Sequence, residues 1–160
     1  MPRKMPAQKP HRSEQAVETP DDLLTAVRRR FGPMAFDLAA TKGNAKAPRF
    51  FTPEDNALQQ DWAKLTGHLW LNPEFGDIPP WVAACVAATT PSTYDRSITV
   101  LITAGVGTEW WRHHVHGKAY VLHLAPRVTF VGHKHPFPKD LSLLRYGGGH
   151  GPGTDLWRWK

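Results

Sequence analysis

The sequence predicts an α/β fold: a mostly parallel sheet flanked by helices and closed by a C-terminal antiparallel hairpin. Three observations carry that expectation. Leu69, Trp70 and Leu71 form a short apolar run bounded by Gly67 and Pro73, as a buried parallel strand should be. Ser97-Ile98-Thr99-Val100-Leu101-Ile102-Thr103 is β-branched and nearly continuous, the composition of a second central strand. Helical stretches over residues 20–30 and 80–88 alternate with these strands, which is the order that builds parallel sheets.

Taken in order, residues 1–15 carry Arg3, Lys4, Lys9 and Arg12 with prolines and little apolar periodicity, and read as a disordered basic arm. A single domain is expected from residue 16 to residue 160. Thr19 is placed to cap the first helix, with Pro20 at its first position and Asp21 and Asp22 at its positive end. Leu23, Leu24 and Val27 then share one helical face. Phe36-Asp37-Leu38-Ala39-Ala40 reads as the next strand and its exit, where two alanines let a ligand approach the backbone. Asp37 could there bind a cationic amine, or serve as a turn acid. Residues 49–52 form a very short strand. Glu54 or Asp55 after it could hydrogen-bond ribose hydroxyls, Asp55 being preferred, or could begin a short helix ending near Trp62.

Beyond the central strand, residues 80–88 are alanine-rich and helical, and Thr108-Glu109-Trp110-Trp111 begins another short helix. Strands are expected over residues 119–124, 141–146 and 155–159, the last two joined across Gly147-Gly148-Gly149-His150-Gly151-Pro152-Gly153 as the hairpin.

Charge and composition narrow the function. A formal net charge of +6 over 160 residues favours an anionic partner such as nucleic acid. One cysteine, Cys85, excludes an internal disulfide and a cysteine-rich zinc site, and its alanine-rich surroundings make it a core residue. No apolar run approaches the roughly 18 to 20 residues that span a membrane, and no apolar stretch follows the basic start as in a signal peptide. A cytoplasmic protein without membrane contact is expected. Of nine histidines, His113 and His116 share a helical face and His133 and His135 stand one residue apart. They lack a carboxylate-rich partner, so no metal site is expected; nor does any serine sit in a Gly-x-Ser-x-Gly turn.

The chemistry concentrates at the end of the Leu69–Leu71 strand, in Asn72-Pro73-Glu74-Phe75. Open α/β sheets bind ligands outside the carboxyl ends of their strands. Asn72 Oδ1 and the Pro73 carbonyl can each accept a hydrogen bond from an amino group on a flat heterocycle, and Phe75 can stack on its ring. This stretch resembles the Asn/Asp-Pro-Pro-Tyr/Phe motif of amino-group DNA methyltransferases. With Trp70-Leu71 before it and Gly76-Asp77-Ile78-Pro79-Pro80-Trp81 after it, the stretch is similar to the phage-type DNA adenine-N6 methyltransferases. Phe36 to Thr41, Asn44-Ala45 and Phe50-Phe51-Thr52 resemble that family's cofactor segment, and the likeness runs from about Thr19 to Tyr146.

The resemblance implies a Rossmann-like methyltransferase fold and S-adenosylmethionine as cofactor, bordered by Thr19 and Pro20 and held by Asp37, Ala39 and Asp55. It also implies double-stranded DNA as substrate, with Asn72, Pro73 and Phe75 acting on a flipped adenine. Two departures stand out: Gly43 is alone where many methyltransferases have a glycine-rich loop, and Glu74 replaces the usual second proline. They keep open a non-catalytic nucleic-acid-binding relative of the same fold, or an enzyme acting on RNA.

Overall fold

The computed structural model describes residues 17–160. The basic arm expected over residues 1–15 lies outside the described residues. Helix α1 (Asp21–Phe31) begins with two acids and ends with Arg28, Arg29 and Arg30, so its charges oppose its dipole at both ends. Gly32 stops it at φ +91°, donating its N–H to the Arg28 carbonyl. The N-cap falls on Pro20, one residue later than the sequence suggested, and no side chain caps the helix. Thr19 therefore does not act as the cap. Its hydroxyl is used by Asn72 instead.

Strands β1 (Met34–Asp37), β2 (Arg49–Phe50), β3 (Gly67–Leu71) and β4 (Arg96–Thr103) pair in parallel in the order β2-β1-β3-β4. Between β2 and β3 the chain makes three 3₁₀ turns, Pro53–Asp55, Ala57–Gln59 and Trp62–Lys64, rather than one short helix. Helix α2 (Pro79–Ala88) crosses over from β3 to β4, with two prolines in the first turn, where missing N–H donors cost nothing. Short helix α3 (Glu109–His114) is capped by the Thr108 hydroxyl and leads to β5 (Tyr120–Ala125).

The C-terminal strands pair differently from the expected hairpin. β6 (Leu141–Gly147) inserts antiparallel between β4 and β5, and β7 (Gly153–Arg158) runs parallel to β5 at the far edge, giving β2-β1-β3-β4-β6-β5-β7. The antiparallel pairs are present, but β6 and β7 are not partners. Burial explains the choice. Every residue from Leu141 to Tyr146 is buried, as only an interior strand allows, whereas β7 is largely exposed and fits an edge.

Each face of the sheet carries its own core. Phe36, Leu69, Leu71, Ile98, Val100 and Ile102 pack against α2, α3 and the 3₁₀ turns through Val82, Cys85, Trp111 and Trp62. Met34, Trp70, Leu101, Leu122 and Leu143 point the other way, onto Leu23, Leu24 and Val27 of α1. The period-2 alternation along β4, Ile98/Val100/Ile102 against Leu101, is what divides them. No helix among the described residues is long and apolar enough to cross a membrane.

Candidate active site

A cavity of about 620 Å³ opens at the carboxyl ends of β1 and β3. It exists because the chain leaves both strands without folding back over them. After Asp37, Leu38 donates to the Trp70 carbonyl at 2.9 Å and Ala40 to the Phe51 carbonyl at 2.9 Å. The β1 exit thus stays extended across the sheet edge, and small Ala39 and Ala40 form a low floor. Residues 17–19 wall one side, the turn around Thr52, Pro53 and Asn56 another, and Asn72, Glu74, Asp77 and Trp81 the third.

Asp37 supplies a carboxylate at that floor. It is 2 % exposed, and its two oxygens accept backbone N–H bonds from Ala39 at 3.2 Å and Lys46 at 2.9 Å. Burial raises its pKa to about 6 against the pull of these two donors. A charged group held this way is poised to be completed by a cation in the cavity. The nearest fixed cation, Lys46, instead spends its ammonium on Glu18 at 2.7 Å.

Asn72 is the first residue after β3. Its Nδ2 donates to the Val17 carbonyl at 2.8 Å and to Thr19 Oγ1 at 3.1 Å. A carbonyl can only accept, so the Val17 contact fixes which end of the amide carries nitrogen. Asn72 Oδ1 is left buried with no hydrogen-bond partner among the described residues. Such an acceptor costs about 1–3 kcal/mol of lost solvation, which a ligand donor would recover.

The other residues expected at the site divide. Thr19, Asp37, Ala39 and Asn72 all line the cavity. Pro20 sits just outside it at the start of α1. Pro73 is buried behind Asn72 and is not part of the wall. Phe75 turns away from the cavity and packs with Phe130 and Phe137, at ring separations of 6.1 and 5.6 Å. Asp55 is fully exposed, and its carboxylate accepts from the Thr52 N–H and hydroxyl at 2.7 and 3.0 Å. Those bonds hold its pKa below the usual carboxylate range. It caps the turn, while its neighbours Thr52, Pro53 and Asn56 face the cavity. Among the described residues no group of three His, Cys, Asp or Glu is placed to hold a metal.

Sequence reasoning passed over Lys46, Glu18 and Trp81. The first two form an ion pair on the cavity wall, and Trp81 stacks on Trp62 at 6.3 Å and 30° beside it. Trp81 carried a signal, as the last residue of the quoted Gly76–Trp81 stretch, and Lys46 a weaker one, following the quoted Asn44-Ala45 pair; Glu18 reaches Lys46 from 28 residues away.

Taken together, the fold and cavity define an α/β protein with a polar-lined cavity at the carboxyl ends of its parallel strands, the place where open α/β sheets bind ligands. Its polar groups include the buried Asp37 carboxyl and the amide of Asn72, whose Oδ1 has no partner among the described residues. The chain belongs to the DNA N-6-adenine-methyltransferase (Dam) family, whose model matches residues 7–140. It is 39 % identical over 67 residues to a putative methyltransferase, YfdM, of Escherichia coli K12, covering 39 % of this chain and 69 % of that one. It is 24 % identical over 111 residues to the DNA N-6-adenine-methyltransferase of Escherichia phage T1, covering 69 % of this chain and 45 % of the phage protein. With the enzyme of the same name from Haemophilus phage HP1 it is 23 % identical over 99 residues, covering 61 % and 55 %. The match thus spans about half the length of either phage protein.

Proposed function

We propose that the protein transfers a methyl group from S-adenosylmethionine to the exocyclic N6 amine of adenine in double-stranded DNA, on a Rossmann-like fold. The observation that carries this reading is the orientation of Asn72. Its nitrogen is tied back by Val17 and Thr19, and its oxygen is left as a buried acceptor without a partner among the described residues. The exocyclic amine of adenine is a weak nucleophile because its lone pair is delocalised into the ring. A hydrogen bond from that amine to a fixed Asn72 Oδ1 favours a pyramidal nitrogen. It also stabilises the positive charge that grows as the amine is methylated. No strong base is needed, because the proton leaves after transfer.

The cavity fits the cofactor. Asp37 would receive its α-amino group, and the low floor at Ala39 and Ala40 would admit the adenosyl portion. When bound, the cofactor supplies an activated methyl group on a sulfonium; the chain's own task is to align the amine with it. Asp55 has no part in this reading, since it does not line the cavity and one of its oxygens is held by Thr52.

Glu74 and Asp77 favour a second reading. Both are exposed acids on the cavity wall, where a polyanion has to approach. That charge disfavours DNA and RNA alike at this wall and suits a relative which keeps the fold but transfers no methyl group. Incubating the protein with tritiated S-adenosylmethionine and either duplex DNA or RNA, then digesting to nucleosides, separates the readings. N6-methyladenosine in the deoxy series supports the proposal. Label in RNA alone, or in neither, overturns it.

A further inference from the structure

Arg145, on β6, is 4 % exposed, yet its guanidinium meets no carboxylate among the described residues. One nitrogen donates to Thr99 Oγ1 at 2.7 Å, and Nε has no partner among the described residues. The groups behind it are neutral. His68 Nδ1 lies 3.0 Å from the Gly32 carbonyl, which can only accept, so Nδ1 carries the proton. His68 Nε2, 2.7 Å from Thr99 Oγ1, then accepts the Thr99 hydroxyl. The chain from Arg145 through Thr99 and His68 to Gly32 therefore brings no negative charge to the arginine. Arg96, also buried, shows how such a cation is normally satisfied: it donates to the carbonyls of Ala88, Ala63 and Leu65 at 2.8 to 2.9 Å.

Arg145 lies on the floor of a second cavity, of about 410 Å³, whose other lining residues are Arg30, Phe31, Tyr120 and His150. It opens at the amino ends of the parallel strands, the opposite edge of the sheet from the Asp37 cavity, since Tyr120 begins β5 and Phe31 ends α1. Its lining holds two arginines and a histidine and no carboxylate. The Phe31 ring, 4.0 Å beneath the Arg145 guanidinium, offsets part of that charge. Burial and the charge of Arg30 nevertheless pull the Arg145 pKa down to about 10. Gly147 lets the chain turn here at φ +69°, where a Cβ would lie 2.5 Å from the Arg96 carbonyl oxygen. That turn brings the His150 ring over Tyr120, at 6.4 Å and 26°.

We propose that this cavity is an anion site for a phosphate group. An oxyanion seated in it would accept from the unpartnered Nε of Arg145, pair with the exposed Arg30 guanidinium, and meet His150 at the rim. This inference does not rest on the methyl-transfer reading.

Calorimetric titration of the full chain with inorganic phosphate, thymidine 5′-monophosphate and thymidine tests it. Thymidine contains no adenine, so the acceptor site proposed above is not engaged. Binding of phosphate alone identifies a free anion as the ligand, and tighter binding of the monophosphate identifies a phosphomonoester. Both results support the site. Arg145→Met should weaken either interaction by about tenfold or more, the worth of a charge-assisted bond. Arg30→Gln, at an exposed position that leaves the fold intact, should weaken it several-fold and carries the test if Arg145→Met does not fold. Absence of phosphate and monophosphate binding to the wild-type chain overturns the proposal. So does affinity unchanged in Arg30→Gln, or thymidine binding as tightly as its monophosphate.

Discussion

If Asp37 receives a cationic amine, cofactor affinity must follow the ionisation of that carboxylate. With its pKa at about 6 in the protein without ligand, the carboxylate is about ten-elevenths ionised at pH 7 and about one-eleventh ionised at pH 5. The affinity for S-adenosylhomocysteine should therefore fall about tenfold between these values, approaching one decade per pH unit below 6. The ligand's amine stays cationic across this window, so its own titration does not intrude. Binding is the right readout because stability alone is ambiguous. The raised pKa of Asp37, about 6 against 3.8, makes the folded state gain up to about 3 kcal/mol as pH falls through that interval. Burial depresses the His68 pKa from 6.5 to about 4, so acid costs the fold a similar amount over an overlapping range. The two nearly cancel in a melting curve. His68 lies at the opposite sheet edge and does not line the Asp37 cavity, so it drops out of the ligand titration. Calorimetry from pH 7 to pH 5 on the wild type and Asp37→Asn makes the measurement. The variant should bind about 10- to 100-fold more weakly at pH 7 and show no dependence on pH. A wild-type affinity that stays flat to pH 5 would refute the reasoning, and an unchanged affinity in the variant would show that the amine binds elsewhere.

Asn72→Ala should abolish methyl transfer while S-adenosylhomocysteine affinity stays within a few-fold, because the amide acts on the acceptor amine; tritium incorporation near wild type would refute its role. Asp55→Ala should leave cofactor affinity unchanged and lower stability slightly, as read by denaturant titration, because its bonds to Thr52 are exposed; a large drop in affinity would return Asp55 to the cofactor. Deleting residues 1–15, which carry Arg3, Lys4, Lys9 and Arg12, should make the salt dependence of duplex binding shallower by about 0.9 in log–log slope for each phosphate that the arm neutralises, without changing which sequence is methylated. An unchanged slope in filter-binding assays would show that the arm touches no phosphate.

What the sequence made legible was local. The apolar run before Asn72 and the β-branched run at 97–103 each specify a buried strand by composition alone, and both became central parallel strands. The capping pattern Thr52-x-x-Asp55 was equally local, and it accounts for Asp55 better than ribose binding does. What stayed hidden depends on partners far along the chain. Phe75 is drawn from the cavity by Phe130 and Phe137, more than 50 residues later. The order of β5, β6 and β7 follows from which strand can be buried on both faces, and the glycines at 147–153 look the same whether they close a hairpin or carry the chain past β5 to the sheet edge.

The same distinction explains why the site is better defined than its motif. An Asn-Pro turn with Glu74 in place of a second proline leaves the amide free to rotate, and a rotating amide stabilises no transition state. Residues 17–19 remove that freedom. They take both donors of Asn72 through the Val17 carbonyl and Thr19 Oγ1. Glu18 between them pairs with Lys46, whose backbone N–H holds Asp37. One short segment thus braces both the Asn72 amide and the Asp37 carboxylate, the two groups that the proposed methyl transfer uses. Their separation is set by the spacing of β1 and β3, neighbouring strands in register at Asp37 and Trp70. The second proline of the family pattern would stiffen this turn from within the motif; here the stiffness comes from across the cavity, so replacement by Glu74 need not loosen the groups that do the chemistry.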